Sequence, residues 1–348
     1  MTSHIEFSVR NGVGTILLNR PQALNALTHD MCVPLEQHLR SWATDPGIKS
    51  VIIKAAGEKA FCAGGDIRKL AERGPEGAEY RKRFWYDEYR CNTVIGEFPK
   101  PFIALVDGIF MGGGVGLSVH GSHRVISEFA TFAMPETGIG LFPDVGGTYF
   151  LPRCPGETGL YLGLTGARLK GADILAAGVA THFVPRERLA GLEQALVDAG
   201  PGSKAEVDAV VERFAAVAGP SALADVRPQI DRLFSGTTMA EVMAALEADA
   251  SFGAEQARII RTKSPTSIKL TFAQLRRGRS LSLRDCMRLE WRICNHVAAG
   301  NDFYEGVRAV IIDKDHRPNW RPATLEQVSE AEIEAYFSPV PEGELQFD

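Results

Sequence analysis

Met111-Gly112-Gly113-Gly114-Val115-Gly116-Leu117 is the stretch whose reading decides the fold. It follows an apolar run at residues 101–106 closed by Asp107-Gly108, so a buried strand leads through glycines into a short apolar helix. Free N–H groups at such a helix start attract negative charge. Two familiar Gly-rich patterns fail here. Leu117 stands where GxGxxG needs its last Gly, and no Walker lysine follows. Gly116-Leu117-Ser118-Val119-His120 has His where a GxSxG nucleophile elbow needs Gly, which leaves Ser118 as a buried helix residue.

Upstream, residues 5–10 alternate apolar and polar, and Asn11-Gly12 turns the chain into a second strand at 14–18, a hairpin. Thr28 is placed to cap a helix carrying Met31, Leu35, Leu39 and Trp42 at helical spacing, which ends near Asp45-Pro46-Gly47. Residues 50–54 form a short buried strand. After it comes Ala60-Phe61-Cys62-Ala63-Gly64-Gly65-Asp66-Ile67, whose paired glycines permit a close approach that a Cβ would forbid. The spacing of Phe84, Trp85, Tyr86 and Tyr89 predicts an amphipathic helix over 79–98. Asp87 and Glu88 sit among these aromatics, and periodicity leaves open whether the stripe faces core or pocket.

Downstream, residues 133–147 run Ala133-Met134-Pro135-Glu136-Thr137-Gly138-Ile139-Gly140-Leu141-Phe142-Pro143-Asp144-Val145-Gly146-Gly147. Two carboxylates, Glu136 and Asp144, stand among apolar residues, Gly and Pro. Buried, they become candidates for acid, base or nucleophile. On a structural reading, Glu136 caps a helix start after Pro135 and Asp144 steadies a turn after Pro143. The stretch alone leaves both open. The order strand, strand, helix continues to about Val184, after which Ala, Leu, Glu and Arg dominate. Helices are then expected to the end, broken at Gly200-Pro201-Gly202, Gly219-Pro220 and Ser264-Pro265, with an amphipathic helix at 282–297 and a frayed tail from Gly343.

Composition narrows the function classes. A 348-residue chain with 45% hydrophobic and 23% charged residues has ample core. Its net charge of −5 offers no basic field for nucleic acid and no polybasic patch for a membrane. The six cysteines are scattered, with no CxxC pair, as in reduced buried thiols. His120 and His123 read as surface or turn residues, and no metal site is expected. The N-terminal residues show neither a signal peptide nor an amphipathic leader, and no apolar run approaches the ~20 residues of a membrane span, so a cytoplasmic location is expected.

Taken together, these motifs resemble the crotonase superfamily, the enoyl-CoA hydratase/isomerase fold. They are Phe61 to Ile67, Met111 to Gly114 and Pro135-Glu136, in that order. Within it, Gly112 to Gly121, Ala133 to Gly147, Ala180 to Val184 and Asp302 to Asp315 are similar to thioester hydrolases acting on short 3-hydroxyacyl-CoA. The resemblance implies an α/β fold, a crotonase-like spiral of ββα units over residues 1–200 followed by a helical C-terminal region over 201–348. It implies an oxyanion hole from the backbone N–H groups of Gly65 and Gly113, two fixed donors for the charge that develops on a thioester carbonyl. It places the family's acid on the aromatic helix at Glu88.

Hydratases hold water between two glutamates, one shortly after the Gly triplet and one at the Pro-Glu site. This chain has Gly116 at the first position and an extra acid at Asp144, eight residues past Glu136. That departure implies hydrolysis, with 3-hydroxyisobutyryl-CoA of valine breakdown the expected substrate and 3-hydroxypropionyl-CoA a second. Glu136 is then nucleophile or base, Asp144 protonates the leaving thiolate or binds the 3-hydroxyl, and Glu88 holds the polar acyl end. Coenzyme A enters as part of the substrate, with its adenine against residues 59–66 and no separate cofactor. Two rivals remain: an enoyl-CoA hydratase or isomerase using Glu136 with another partner, and a non-catalytic CoA-thioester-binding protein. The superfamily also implies a homo-oligomer.

Overall fold

The computed structural model describes residues 4–341 and 343–348, so the first three residues of the stretch read above for a leader lie outside it. Among the described residues are ten strands: β1 (Ile5–Arg10), β2 (Val13–Leu18), β3 (Ser50–Ala55), β4 (Ala60–Cys62), β5 (Phe102–Val106), β6 (Ile109–Met111), β7 (His123–Ile126), β8 (Thr131–Ala133), β9 (Leu169–Lys170) and β10 (His182–Phe183). By contacts the chain divides into two compact units, each drawing on three stretches. The first takes residues up to Asp66, Arg90–Phe132 and Leu169–Ala222. The second takes Ile67–Tyr89, Ala133–Arg168 and Leu223–Asp348. This is a different cut from one at residue 200.

In the first unit, β1 and β2 form the expected hairpin, paired from Ile5 with Leu18 to Arg10 with Val13. Asn11 (φ 49°) and Gly12 (φ 77°) both take the left-handed region, as the mirror-image turn that follows strand twist requires. The sheet order β1-β2-β3-β5-β7-β10 and a second sheet β4-β6-β8-β9 show the spiral directly. Successive strands β3 to β8 alternate between the two sheets, and a helix follows β4 (Pro75–Gly96, after a one-turn helix) and β6 (Gly113–Gly116). Each turn therefore contributes one strand to each sheet. Beneath the larger sheet Val13, Ile52, Ile103 and Val125 pack with Leu192 and Leu196 of the helix Arg186–Ala199, and with Val207 and Val211 of Lys204–Val211.

Three local expectations are corrected. Thr28 occupies the N-cap of the helix His29–Thr44, but its hydroxyl makes no capping bond and is buried without a partner. Met31, Leu35, Leu39 and Trp42 bury as predicted, so the helix is held by packing of that face. His123 lies inside β7, buried, with Nε2 3.1 Å from Asp208 and its ring stacked on His182. The strand ladder carries it inward, where a turn would have exposed it.

The tail from Gly343 is docked in the second unit. Leu345 and Phe347 are buried, Arg292 pairs with Glu344, and Trp291 Nε1 donates to the Gly343 carbonyl at 2.8 Å. Alternation of Leu345 and Phe347 with Glu344 and Gln346 gives the segment one apolar side. The expected helix breaks all occur, with helices Ala222–Leu233, Pro265–Gly278 and Leu283–Ala299 among those that follow. All six cysteines are buried and none is in a disulfide. No helix among the described residues is long and apolar enough to cross a membrane, and none of their His, Cys, Asp and Glu side chains cluster as metal ligands.

Candidate active site

The aromatic helix spans Pro75–Gly96, and its portion up to Tyr89 belongs to the second unit. Phe84, Trp85, Glu88 and Tyr89 fall on one buried face, as their i, i+4 and i, i+5 spacing allows. Trp85 packs on Phe303, with ring centres 6.0 Å apart. Tyr86 meets Trp291 edge-on at 5.3 Å. The stripe is therefore core that carries a carboxylate into it. Glu88 is only 3% exposed, and its Oε1 is buried without a hydrogen-bond partner.

Glu136 opens a single 3-10 turn, Glu136–Ile139, directly after Pro135. Its carbonyl accepts from Leu141 N–H, while the side chain makes no cap and Oε2 is buried and unpartnered. The turn closes through Gly140 in the left-handed region. A Cβ there would stand 2.1 Å from the Asp302 carbonyl oxygen. The capping reading fails: Pro135 holds the N-cap position, and the Glu136 side chain makes no cap.

Asp144 accepts a 2.9 Å hydrogen bond at Oδ2 from the Tyr89 hydroxyl. The next residue, Val145, has φ 51°, an outlier for a β-branched side chain, and Gly146 follows at φ 88°. Two buried side chains grip this turn. Glu290, from the helix Leu283–Ala299, accepts from Gly146 N–H at Oε2 (2.8 Å) and from Thr148 N–H at Oε1 (2.9 Å). Gln274 Nε2 donates to the Pro143 carbonyl (2.6 Å) and the Thr148 hydroxyl (3.1 Å).

Four acids thus share one dry region of the second unit. Burial raises the Glu88 carboxyl well above the usual range, and the charges of Asp144, Glu290 and Glu136 raise it further. Burial, then Asp144, does the same to Glu136. Burial pushes Asp144 to about 7 against the opposing bonds from Tyr89 and the backbone, and Glu290 to about 8 against its two N–H donors. Charges this close resist simultaneous ionisation, so the group retains protons at neutral pH.

The candidate glycines lie in the first unit. β4 runs parallel to β6, and an ideal Cβ on Gly64 would come within 3.4 Å of the Met111 carbonyl oxygen and 3.9 Å of Gly113 N. Leu27 brackets the loop, its N–H donating to Gly64 O and its carbonyl accepting from Asp66 N–H, both at 2.8 Å. Gly65 N–H is left out of this pairing. Gly113 begins its helix, so its N–H has no acceptor within it. Ser118 is buried with Oγ 3.1 Å from the carbonyls of Gly114 and Val115, a helix residue and no nucleophile.

Sequence reasoning singled out Glu88, Glu136 and Asp144, which the structure gathers, and missed Tyr89 and Glu290. A signal for Glu290 existed. It stands on the apolar face of its helix, between Met287 and Cys294 at three- and four-residue spacing.

Strands alternating turn by turn between two sheets, with glycine N–H groups where the smaller sheet's strands end, define a crotonase-fold protein. The chain belongs to the enoyl-CoA hydratase/isomerase family, whose pattern it matches over residues 13–337. It is 51% identical over 331 residues to the mitochondrial 3-hydroxyisobutyryl-CoA hydrolase of Xenopus laevis, covering 93% of this chain and 86% of that one. Among solved structures it resembles a carnitinyl-CoA dehydratase from Mycobacterium thermoresistibile, with TM-score 0.92, 41% identity and coverage of 100% and 99%. It also resembles an enoyl-CoA hydratase from Rhodobacter sphaeroides 2.4.1, with TM-score 0.91, 40% identity and coverage of 99% and 100%. The mitochondrial name of the Xenopus relative overturns the cytoplasmic expectation.

Proposed function

We propose that this chain hydrolyses a short 3-hydroxyacyl-CoA thioester, 3-hydroxyisobutyryl-CoA before others, to the free hydroxy acid and coenzyme A. One observation carries the reading. The buried acids include Asp144 as well as Glu136 and Glu88, while Gly116 leaves the glycine helix without the hydratase carboxylate. The hydrolase relative, at 51% identity, supports it.

Glu136, with a free Oε2, either attacks the thioester carbon, giving an acyl–Glu136 anhydride that water then hydrolyses to free acid and Glu136 carboxylate, or draws a proton from attacking water. The carbonyl oxygen takes the electron pair and is stabilised by the N–H groups of Gly65 and Gly113. When the carbonyl re-forms the C–S bond breaks, and Asp144 gives its proton to the thiolate. Asp144 suits that task because its carboxyl sits near neutral pH. Glu136 and Asp144 also assist each other. With the proton on Asp144, the charge that most raises Glu136 after burial is gone, and Glu136 ionises more readily.

Glu88 holds the polar acyl end, its unpaired Oε1 hydrogen-bonding a substrate hydroxyl. A cavity of about 220 Å³ lined by Pro21, Leu24, Gly57 and Lys59 supports adenine binding beside the 59–66 loop. Coenzyme A is substrate here, so no further cofactor is invoked.

The test is thiol release from 3-hydroxyisobutyryl-CoA by the wild type and Glu136→Gln. Rapid release by the wild type with a loss of about 10² or more in the variant supports hydrolysis through Glu136. Absence of release, with hydration of crotonyl-CoA instead, overturns it. Single-turnover incorporation of ¹⁸O from water into Glu136 separates nucleophile from base.

A further inference from the structure

Glu290 is a residue for which the proposed chemistry has no direct use, yet it is fully buried and both carboxyl oxygens are engaged. Its donors are the backbone N–H groups of Gly146 and Thr148, which flank the turn carrying Asp144 at its start. Val145, between Asp144 and Gly146, is held at φ 51°. A β-branched residue keeps such a conformation only where its surroundings over-determine it. Glu290 on one side, and Gln274 gripping Pro143 O and Thr148 Oγ1 on the other, are the groups that do so.

We infer that Glu290 is a positioning residue for the thioester hydrolysis proposed above: its two carboxyl oxygens clamp the 145–148 backbone in the strained form that presents Asp144 to the substrate. The inference rests on that functional reading. A carboxylate is suited to the task because its two oxygens accept two roughly parallel N–H groups at once, which a hydroxyl cannot.

The clamp is also electrically joined to what it positions. Glu88 and Tyr89 face it from the aromatic helix, Asp144 from the turn, and Cys286 and Cys294 from its own helix. Where Glu290 is ionised, at pH above its raised value, its charge opposes ionisation of these neighbours.

The experiment compares wild type, Glu290→Gln and Glu290→Gln combined with Val145→Gly, measuring kcat and KM for 3-hydroxyisobutyryl-CoA across pH. The amide side chain keeps shape but turns one acceptor into a donor facing an N–H. The expected result is a kcat lower by about 10- to 100-fold, the scale of a misplaced catalytic group, with KM changed less than about threefold. Val145→Gly, which takes φ 51° without strain, restores part of the lost kcat in the double variant. Hydrogen exchange of the peptide spanning 143–150 quickens in Glu290→Gln while that of the hairpin strands stays unchanged, and this readout holds even if activity is too low to measure. Wild-type kcat in Glu290→Gln, or unchanged exchange at 143–150, overturns the inference while leaving the hydrolase reading intact. A wild type without hydrolase activity overturns the reading itself.

Discussion

Tyr89→Phe removes one oxygen atom and one hydrogen bond from the acid group, and its outcome separates the two ways Asp144 could work. The hydroxyl donates to Asp144 Oδ2 at 2.9 Å, and Tyr89 is completely buried. A hydrogen bond to a charged acceptor is worth about 1.5–3 kcal/mol, and about 1.4 kcal/mol corresponds to one pKa unit. The bond favours ionised Asp144, so losing it moves a carboxyl already at about 7 upward by roughly one to two units. If Asp144 is the acid that protonates the thiolate, it must carry a proton to act, and activity falls as pH rises through its pKa. The variant then keeps kcat at neutral pH and shifts the alkaline limb of its profile upward by about one to two units. The assay is thiol release under saturating 3-hydroxyisobutyryl-CoA between about pH 6 and 10. An unmoved limb shows that the bond does not govern the working carboxyl. A roughly tenfold fall at neutral pH, with the acidic limb moving up instead, shows that Asp144 acts as a base and refutes the assignment.

The buried acids also tie stability to pH. Asp144 has a folded value of about 7 against an ordinary 3.8, so between those pH values the folded chain holds a proton that the unfolded chain has lost. Stability from this group is intact below 3.8 and falls as pH rises to about 7, by at most about 4 kcal/mol. Thermal unfolding of Asp144→Asn is therefore expected to exceed wild type at pH 8 and to lose the advantage at low pH, and a variant less stable than wild type at pH 8 contradicts this. Gly114→Ala puts a Cβ 2.1 Å from the Cys62 carbonyl oxygen, backbone against backbone, and should cost about 2–4 kcal/mol by denaturant unfolding. An unchanged midpoint contradicts that packing. Deleting residues 343–348 uncovers the partners of buried Leu345 and Phe347, each worth about 1.5–3 kcal/mol, and should lower Tm by several degrees. If that tail carries no stability, Tm stays where it was.

Legibility followed locality. The hairpin was readable because Asn11-Gly12 demands positive φ within two residues, and the helix breaks because Gly and Pro act on their own backbone. Glu136, Asp144 and the glycines were readable as motif positions. That the acids form one buried group was not, since Glu88, Asp144 and Glu290 come from a helix, a turn and another helix far apart in sequence. The Thr28 cap and the frayed tail misled for a related reason. Each rule describes a local preference, and in both places packing of a buried face decided the outcome.

The solved neighbours show why the fold alone does not decide the reaction. Proteins described as a dehydratase and a hydratase superpose with TM-scores of 0.92 and 0.91, so the spiral is common to them and to this chain. What differs must lie in side chains. A hydratase places its second carboxylate on the glycine helix, on the resemblance drawn above, whereas here that position is the buried Gly116 and the added acid sits at the head of the strained turn after Pro143. The move changes the acid's neighbours. At Asp144 the carboxyl meets a tyrosine hydroxyl that favours its ionised form, burial that opposes it, and a turn gripped by Glu290 and Gln274. Those opposing influences leave it near neutrality, where a carboxyl can both hold a proton and release it. Under the proposed hydrolysis, such a donor is placed to protonate the departing thiolate as the C–S bond breaks.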